Sequence, residues 1–352
     1  MLKVGIIGAG HVSQRHMEAY TKNKNVEIVA IADLNEALAK KHAETYNIKN
    51  CYTDYHRILE NPEIEAVSIL TPTFTHCEIV TEALKAGKKC LCEKPPVRTL
   101  SEVEEVIKVA EETGNLLMWA FVNHFAPEIQ ILKKYIDDGK MGKVYHAEAV
   151  RLSRYNPHTG WFVNKGKAGG GGLIDSTIHE LDAAMYLMGY PKVKSVLGFT
   201  TNVNNDMNGQ LKGMGSGYES FSKDVYECDV ESMASGYVTF ENGACLYVKS
   251  GYFSYNPTKE VYIDIMGEKG GSRLLKAPDK SFKILSNMDG YLMESSPIIE
   301  NAGNSFEREV NHFVDCCIHN IPCVCEAHQP LELMKVIEGI YRSAETGQPV
   351  VY

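Results

Sequence analysis

The 352-residue sequence lacks both a long apolar run and an excess of positive charge. A membrane-spanning helix needs about 20 consecutive apolar residues, and no stretch approaches that length. The 36 Lys and Arg residues are outnumbered by 45 Asp and Glu residues, so the net charge of −9 offers no field for a phosphate backbone or an anionic membrane. The opening also lacks the basic and apolar regions of a secretion signal. We therefore expect a cytoplasmic protein with no nucleic-acid partner and no membrane partner.

The ten cysteines lack the paired CxxC spacing that structural zinc sites use. Without a secretion signal, they are expected to be reduced thiols rather than disulfides. Soft metal ligands nevertheless concentrate near the C-terminus, at His312, Cys316, Cys317, His319, Cys323, Cys325 and His328. A helical apolar period there, which includes Val310, Phe313 and Cys317, explains the cysteines as small core residues. We expect no metal site.

The chain is long enough for two hydrophobic cores, predicted as domains at 1–122 and 123–352, and its texture changes to longer strands after Gly142. Residues 1–122 alternate short apolar runs with amphipathic stretches, a pattern typical of βαβ units and a parallel sheet. The strands are predicted at Val4–Ile7, Val26–Ala32, Ala66–Leu70, Lys89–Cys92 and Leu116–Ala120. The helices between them are predicted at His11–Thr21, Asn35–Tyr46, Thr75–Ala86 and Ser101–Glu112.

Residues 123–352 carry longer alternating strands, which predict an α+β domain with a large, mostly antiparallel open sheet. These strands are predicted at Val144–Leu152, Ala234–Phe240, Ala244–Gly251 and Val261–Met266. A glycine run and then a helix are predicted over Gly169–Met188, and two further helices at Ser305–Ile318 and Gln329–Thr346. The polar segment from Asn202 to Lys223 is expected to be a long surface loop.

The first strand runs directly into a glycine-rich turn and a helix, the context of a dinucleotide-binding fingerprint. Gly8 permits the tight turn, Gly10 allows close backbone approach to a pyrophosphate, and Ser13 replaces the third glycine. Asp33 closes the second strand, where a carboxylate is expected to bind the adenosine ribose and repel a 2′-phosphate. No cation follows it, so NAD is favoured over NADP. The alternative is a plain glycine turn with an exposed aspartate.

Two polar residues follow a run of four glycines at a spacing that places both side chains on one helix face. Asp175 and His179 are four residues apart, and the glycines would let substrate and cofactor approach closely. Removing a hydride from a secondary alcohol also requires a base for the hydroxyl proton. His179 suits that role, although a histidine on a helix face is ordinarily a packing residue.

Several motifs together resemble the Gfo/Idh/MocA oxidoreductase family. They are the N-terminal fingerprint, TPTFTH from Thr71, EALKAGKKCLCEKP leading into CEKPP, GGGGLIDSTIHELD from Gly169, FENGA from Phe240 and YRSAETGQPV from Tyr341. Thr73 stands where many members have asparagine. The resemblance covers essentially the whole chain and implies a Rossmann domain, a C-terminal α+β domain and an active site in the cleft between them.

The resemblance also implies the site residues. It assigns His179 as the proton-transferring acid or base, Lys94 as the cation that polarises the reacting oxygen, and Asp175 as the group that hydrogen-bonds the substrate and tunes His179. Cofactor contacts are expected from Gly8, Gly10, His11, Val12, Asp33, Thr71, Pro72, His76, Glu93, Lys94 and Trp161. Substrate contacts are expected from Lys94, His124, Tyr155, His158, Asp175 and His179.

These features predict an NAD-dependent oxidoreductase that reversibly oxidises a secondary hydroxyl of a sugar, glycoside or cyclitol to a ketone. Two alternatives stay open: a redox-neutral enzyme that recycles tightly bound NAD within each turnover, and a non-catalytic NAD-binding regulatory protein. Aromatic residues on the second domain's strands, among them Tyr237, Tyr247, Tyr252, Phe253 and Tyr255, exceed what one sheet face needs. We expect a homodimer or homotetramer.

Overall fold

The computed structural model describes residues 1–153, 160–202, 228–252, 254, 256–300 and 303–352. The chain divides into two compact units. The first comprises Met1–Val97, Ser101–Phe125 and Ala302–Pro330, and the second comprises Arg98–Leu100, Ala126–Asn301 and Leu331–Tyr352. Most of the predicted loop at 202–223, together with Tyr155, His158, Phe253 and Tyr255, lies outside the described residues.

The first unit is built on a six-stranded parallel sheet in the order β3-β2-β1-β4-β5-β6, as the sequence predicts for a Rossmann domain. Its strands are β1 (Leu2–Ile7), β2 (Val26–Ala32), β3 (Asn50–Tyr52), β4 (Ala66–Ile69), β5 (Lys89–Glu93) and β6 (Leu117–Ala120). Ligands bind such sheets where the strand order reverses, here beyond the carboxyl ends of β1 and β4.

Helices join successive strands of this sheet, as right-handed βαβ crossovers require. They are α1 (His11–Lys22), α2 (Glu36–Tyr46), α3 (His56–Leu59), α4 (His76–Lys85) and α5 (Leu100–Thr113). Gly87 and Gly114 adopt positive φ angles just after α4 and α5, where only glycine has no Cβ penalty.

The segment Ala302–Pro330 returns to the first unit, although the predicted division at residue 122 counts it with the second domain. The helix of this segment, α9 (Ser305–His319), packs along α1, where Lys22 pairs with Glu307 and Asn23 hydrogen-bonds Asn311. These contacts join residues nearly 300 positions apart, a separation that local periodicity cannot detect.

The second unit holds a nine-stranded open sheet that is antiparallel except for one parallel pair, so the predicted α+β architecture is confirmed. Its strands are β7 (Val144–Leu152), β8 (Val193–Thr201), β9 (Met233–Phe240), β10 (Cys245–Gly251), β11 (Glu260–Gly267), β12 (Gly270–Ala277), β13 (Ser281–Met288), β14 (Tyr291–Ser295) and β15 (Val350–Val351). The order is β14-β13-β12-β11-β7-β10-β9-β8-β15.

The remaining helices are α6 (Pro127–Asp137), α7 (Lys165–Ala168), α8 (Ile178–Met188), α9 (Ser305–His319) and α10 (Pro330–Thr346). In the second unit, α8 packs on β7 and β11, and its Leu181, Ala184 and Met185 are buried. The helix predicted after the glycine run within 169–188 is not regular throughout, because a π-helical turn, Leu173–Thr177, precedes α8. Among the described helices, none combines the length and apolarity that crossing a membrane would require.

Candidate active site

The turn after β1 requires glycine at its first position. Gly8 has a φ of +101°, and a Cβ built there would lie 2.7 Å from the backbone carbonyl carbon and oxygen of Leu70, at the end of β4. Any side chain at this position would be strained and would push β1 and β4 apart. Gly8 is therefore fixed by the fold itself, whether or not a ligand binds.

Gly10 differs, because a Cβ built there would meet no atom of the described residues within 4 Å. Its φ of −65° is open to any amino acid, so the fold places no demand for glycine here. Gly10 caps α1, whose first N–H groups carry the positive end of the helix dipole. An open position over a helix N-terminus fits the pyrophosphate of a dinucleotide, which needs close backbone approach.

The carboxylate at the end of β2 is held against this turn. Asp33 accepts the Ala9 N–H at 2.7 Å through Oδ2 and the Asn35 N–H at 2.7 Å through Oδ1. His42, on α2, lies with Nε2 3.2 Å from the Ala9 carbonyl oxygen, and burial lowers its pKa. The charge nearest the expected adenosine ribose is thus negative, as a site for an unphosphorylated ribose requires.

A buried histidine joins the turns that follow β4 and β5. His76 lies with Nε2 2.8 Å from the Thr71 carbonyl oxygen and Nδ1 2.8 Å from the Pro95 carbonyl oxygen. Burial lowers its pKa, so the neutral ring donates to one of these two acceptors. His76 is almost wholly inaccessible, so its contribution to any cofactor site is to fix the Thr71–Pro72 turn and the Lys94–Pro95 turn.

Glu93 and Lys94 end β5 in different environments. Glu93 is buried, with Oε1 3.0 Å from Nε2 of His16 on α1 and Oε2 accepting the Lys94 N–H at 2.9 Å. Its carboxylate therefore fixes the backbone at Lys94, whose side chain is half-buried. Glu309, on α9, is also buried, and burial and the charge of Glu93 raise the pKa of its carboxyl well above the ordinary value.

In the second unit, the four-glycine run is packed against protein. A Cβ on Gly170 would overlap the Tyr341 hydroxyl, and a Cβ on Gly171 would lie 2.6 Å from the Glu231 carbonyl oxygen. The Glu231 carboxylate accepts the Gly171 N–H at 2.8 Å, the Leu173 N–H at 3.0 Å and the Tyr341 hydroxyl at 3.1 Å. The glycines are required for this packing, which differs from the expectation that they serve substrate approach.

Asp175 projects from the π-helical turn that Glu231 holds. Its Oδ2 accepts the Tyr252 hydroxyl at 2.7 Å, and burial followed by the Asp175 charge raises the pKa of Tyr252 well above the ordinary value. π-helical turns are rare and concentrate at functional sites. His179, in the first turn of α8, is half-buried, so the two predicted residues occupy consecutive but different helical segments.

The residue after His179 attaches α8 to the sheet. Glu180 is fully buried and accepts Nε of Arg151 at 2.6 Å, Nη2 of Arg151 at 2.9 Å and Nζ of Lys276 at 3.3 Å. Burial alone raises its pKa, but the two cations outweigh burial, and the pKa of Glu180 lies below its ordinary value. The ionised carboxylate fixes the rotation of α8 and therefore the direction of His179.

The other predicted residues are distributed between the two units. His11 and Val12 begin α1, Trp161 stacks on Phe162 in the second unit at 3.9 Å between ring centroids, and Tyr155 and His158 lie outside the described residues. His124 belongs to the first unit and is fully buried, with Nδ1 3.0 Å from Cys325 Sγ. That environment gives His124 a packing role and no exposed ring atom for a substrate.

Sequence reasoning missed the polar residues that support the predicted ones. They are His16, His42, Arg151, Glu180, Glu231, Tyr252, Lys276, Glu309 and Tyr341. Glu180 lies inside the GGGGLIDSTIHELD motif, so its position beside His179 was a usable signal. Glu231 is 60 positions from Gly171 and Tyr252 is 77 positions from Asp175, and no local pattern links these pairs.

Comparison with known families agrees with this geometry. Residues 2–121 match the family described as the oxidoreductase family, NAD-binding Rossmann fold, and residues 133–351 match its C-terminal alpha/beta domain. The chain belongs to this Gfo/Idh/MocA oxidoreductase family. Its first unit is the NAD-binding Rossmann domain, and the open turn at Gly10 with the carboxylate of Asp33 fits that cofactor.

Relatives of this oxidoreductase include characterised sugar dehydrogenases. It is 31% identical to the D-glucoside 3-dehydrogenase of Escherichia coli strain K12, over 99% of this chain and 97% of the relative. It is 29% identical to the levoglucosan dehydrogenase of Pseudarthrobacter phenanthrenivorans, over 76% of this chain and 72% of the relative. A solved levoglucosan dehydrogenase in complex with NADH and L-sorbose shares the fold, with a TM-score of 0.85 at 21% identity over 99% of this chain and 98% of that chain.

Proposed function

We propose that this oxidoreductase is an NAD-dependent dehydrogenase that oxidises one secondary hydroxyl of a sugar, glycoside or cyclitol to a ketone. The observation that carries the proposal is the arrangement around the glycine run, where a π-helical turn presents Asp175 and the next helix presents His179. Both segments are fixed by buried carboxylates, Glu231 and Glu180, which is the preorganisation that proton transfer requires.

On the cofactor side, Gly10 and the N-terminus of α1 would hold the pyrophosphate, and Asp33 would hold the adenosine ribose. NAD is preferred over NADP, because the Asp33 carboxylate would repel a 2′-phosphate and the next residues, Leu34 and Asn35, carry no positive charge. When bound, NAD accepts the hydride that leaves the substrate carbon.

Side chains of the protein accept the hydroxyl proton and stabilise the charge on the hydroxyl oxygen. His179 takes the proton, Lys94 stabilises the negative charge that develops on the oxygen, and Asp175 accepts a hydrogen bond from the substrate. The Tyr252 hydroxyl, which donates to Asp175 Oδ2, holds this carboxylate in one orientation. Glu93 fixes the backbone from which Lys94 projects.

The first substrates to test are D-glucosides with a free C3 hydroxyl, because a relative that matches over almost its whole length is a D-glucoside 3-dehydrogenase. The panel should also contain cyclitols, since a myo-inositol 2-dehydrogenase of Thermotoga maritima is 28% identical over 53% of this chain. Accumulation of NADH with excess NAD indicates net oxidation. A redox-neutral enzyme would consume a glycoside without accumulating NADH.

The decisive experiment replaces the proposed proton acceptor. His179→Ala should lower turnover by about 10² to 10⁴, with little change in NAD affinity. Lys94→Ala should also lower turnover, and the double replacement should cost much less than the product of the two single effects, because both groups act on one oxygen. Near-normal turnover of His179→Ala on the true substrate would overturn the assignment.

We also propose that the protein is a homodimer or homotetramer that assembles through the second unit's sheet. Leu197, Phe199 and Tyr237 are 51%, 61% and 60% exposed on neighbouring strands, an apolar surface unusual for a monomer. Tyr252, which was expected on this face, instead lies buried against Asp175. Light scattering at micromolar concentration tests the proposal, and a monomer would contradict it.

A further inference from the structure

A cluster of soft ligands lies in the first unit among residues that the proposed reaction does not use. His312 and Cys316 are one turn apart on α9 and share a face of the helix. The helix ends at Asn320 in a left-handed conformation with φ of 51°, and the chain then reverses so that Cys323 returns to the same face. The ligand atoms of these three residues all lie within 4.8 Å of one another.

The spacing approaches that of a tetrahedral metal centre. Bond lengths of about 2.3 Å for Zn–S and about 2.0 Å for Zn–N place the ligand atoms about 3.5 to 3.8 Å apart around one zinc ion. The observed distance between Cys316 Sγ and His312 Nε2 is 3.4 Å. The other distances between ligand atoms would need to shorten by no more than about 1 Å to match a tetrahedron. Rotation of the half-buried Cys323 side chain can supply such a shift.

The hydrogen bonding and orientation of the His312 ring also suit a metal ligand. His312 Nε2 accepts the Val324 N–H at 3.0 Å, so the lone pair that a metal needs is on this nitrogen and not on Nδ1. The Phe125 ring, with centroids 5.4 Å apart, fixes the imidazole plane. Cysteine binds metals as the thiolate, so binding of the ion would release the thiol protons.

We propose that His312, Cys316 and Cys323 bind one zinc ion, with water completing a tetrahedral site. Two thiolates and an imidazole are soft and borderline ligands, which select zinc over the oxygen-seeking Mg²⁺ and Ca²⁺. The ion replaces the Val324 N–H as the partner of His312 Nε2. No metal was expected here because all of these cysteines were taken as core residues; Cys317 and Cys325 are core residues, whereas Cys316 and Cys323 lie close to His312.

The position of the site gives the ion a structural role. The loop that carries Cys323 continues along the edge of the parallel sheet, where the Cys325 carbonyl accepts the Trp119 N–H at 2.9 Å and Ala327 accepts the Trp119 indole N–H at 3.3 Å. A zinc ion at Cys323 joins the end of α9 to this edge. Binding to the folded state alone raises stability by mass action, so zinc raises the melting temperature.

The test uses the full-length protein, stripped of metal with a chelator under reducing conditions. Titration with Zn²⁺ is followed by thermal unfolding, and titration with Co²⁺ is followed by its thiolate charge-transfer and tetrahedral absorption bands. We expect one ion per chain and a higher melting temperature. Cys316→Ser and Cys323→Ser should weaken zinc binding by more than about 100-fold. Cys317→Ser, the matched control at the next helix position, should leave zinc affinity unchanged.

A second measurement keeps the proposal testable if a ligand variant fails to fold. In the unmodified protein, bound zinc should protect Cys316 and Cys323 from alkylation, as mapped by peptide mass spectrometry, and should not change labelling of the half-buried Cys51. The proposal is overturned by the absence of thiolate–cobalt bands, by unchanged affinity in Cys316→Ser, or by a Cys316–Cys323 disulfide in protein prepared with zinc present.

Discussion

The two glycine-rich segments are glycine-rich for opposite reasons. At the turn after β1, a Cβ on Gly10 would meet nothing among the described residues, so only a ligand can require glycine there. In the run before α8, a Cβ on Gly171 would meet the Glu231 carbonyl oxygen at 2.6 Å, so the fold requires glycine. A glycine motif therefore indicates that some group packs closely against the backbone. Only the structure shows whether that group belongs to the protein, as at Gly171, or must be a ligand, as at Gly10.

The sharpest test of the comparison is Gly171→Ala. Because the new Cβ would collide with buried backbone, we expect a loss of about 1 to 3 kcal/mol of stability and a lower melting temperature. Thermal unfolding without cofactor measures it. Gly166→Ala, in the nearby helix α7, is the control, since its Cβ would meet only Asn164 Oδ1 at an ordinary 3.4 Å. Equal stability of both variants would contradict the packing explanation.

Two buried glutamates extend the comparison. Glu231 is hydrogen-bonded to the glycine run, whereas Glu309 accepts no hydrogen bond from the described residues. Glu231 accepts two backbone N–H groups and a tyrosine hydroxyl, so Glu231→Gln should cost about 1 to 3 kcal/mol by turning an amide N–H₂ toward donors. Among the described residues, neither carboxylate oxygen of Glu309 has a hydrogen-bond partner. Glu309→Gln should therefore be tolerated.

The buried carboxyl of Glu309 also predicts that the stability of the protein depends on pH. Burial and then Glu93 raise the pKa of Glu309 in the folded state, so the native protein keeps a proton that the unfolded chain releases. Stability should therefore fall as pH rises above the ordinary glutamate pKa, by up to about 1.4 kcal/mol per pH unit, until the pH reaches the native pKa. Urea unfolding at several pH values measures this slope. If Glu309→Gln keeps the full slope, another group causes it.

The fold was predictable where periodicity was strong. The ends of the predicted strands of the parallel sheet fall within two residues of the observed ones, and Val144–Leu152 is the observed β7. The strands that are not among the predicted ones are β3, β8, β12, β13, β14 and β15. β3 has three residues and the residues of β14 are all exposed, so neither carries an alternating apolar pattern. It also missed that the Ala302–Pro330 segment packs on α1, since that contact depends on tertiary structure.

The candidate site was predictable at the level of residue types but not of their supports. Asp33, Asp175 and His179 stand in motifs whose spacing indicates their chemistry. Glu231 precedes β9 and Tyr252 follows β10, both outside the strands, and only folding brings them to the glycine run and to Asp175. Spacing also misled, since Asp175 and His179 were expected in one regular helix, whereas Asp175 lies in the π-helical turn and His179 lies in α8.

Gly10→Ala is the counterpart of Gly171→Ala. Because the new methyl group meets no described atom, stability without cofactor should change by less than about 0.5 kcal/mol. NAD affinity should fall by about tenfold or more, equivalent to about 1.4 kcal/mol, because the methyl group occupies the space that the pyrophosphate needs. Calorimetric titration and thermal unfolding provide the two measurements. Unchanged NAD affinity would mean that no phosphate approaches Gly10.

The smallest expected effect concerns cofactor choice at the same turn. Asp33 both hydrogen-bonds Ala9 and Asn35 and supplies the negative charge that should exclude NADP. Asp33→Asn removes the charge and disturbs one of those hydrogen bonds. Loss of the hydrogen bond should weaken NAD and NADP equally, because both use the same turn. Loss of the charge should change the ratio of the NAD affinity to the NADP affinity. The preference for NAD should fall by about tenfold, or about 1.4 kcal/mol.

The ratio therefore separates the two roles of Asp33, and His42→Leu provides the control. His42 contacts the Ala9 carbonyl from α2 without contributing a fixed charge, so its loss should weaken both cofactors and leave their ratio unchanged. Titration of NAD and NADP against the unmodified protein and both variants measures the effect. If Asp33→Asn weakens both cofactors by the same factor, the carboxylate supports the turn and does not select the cofactor.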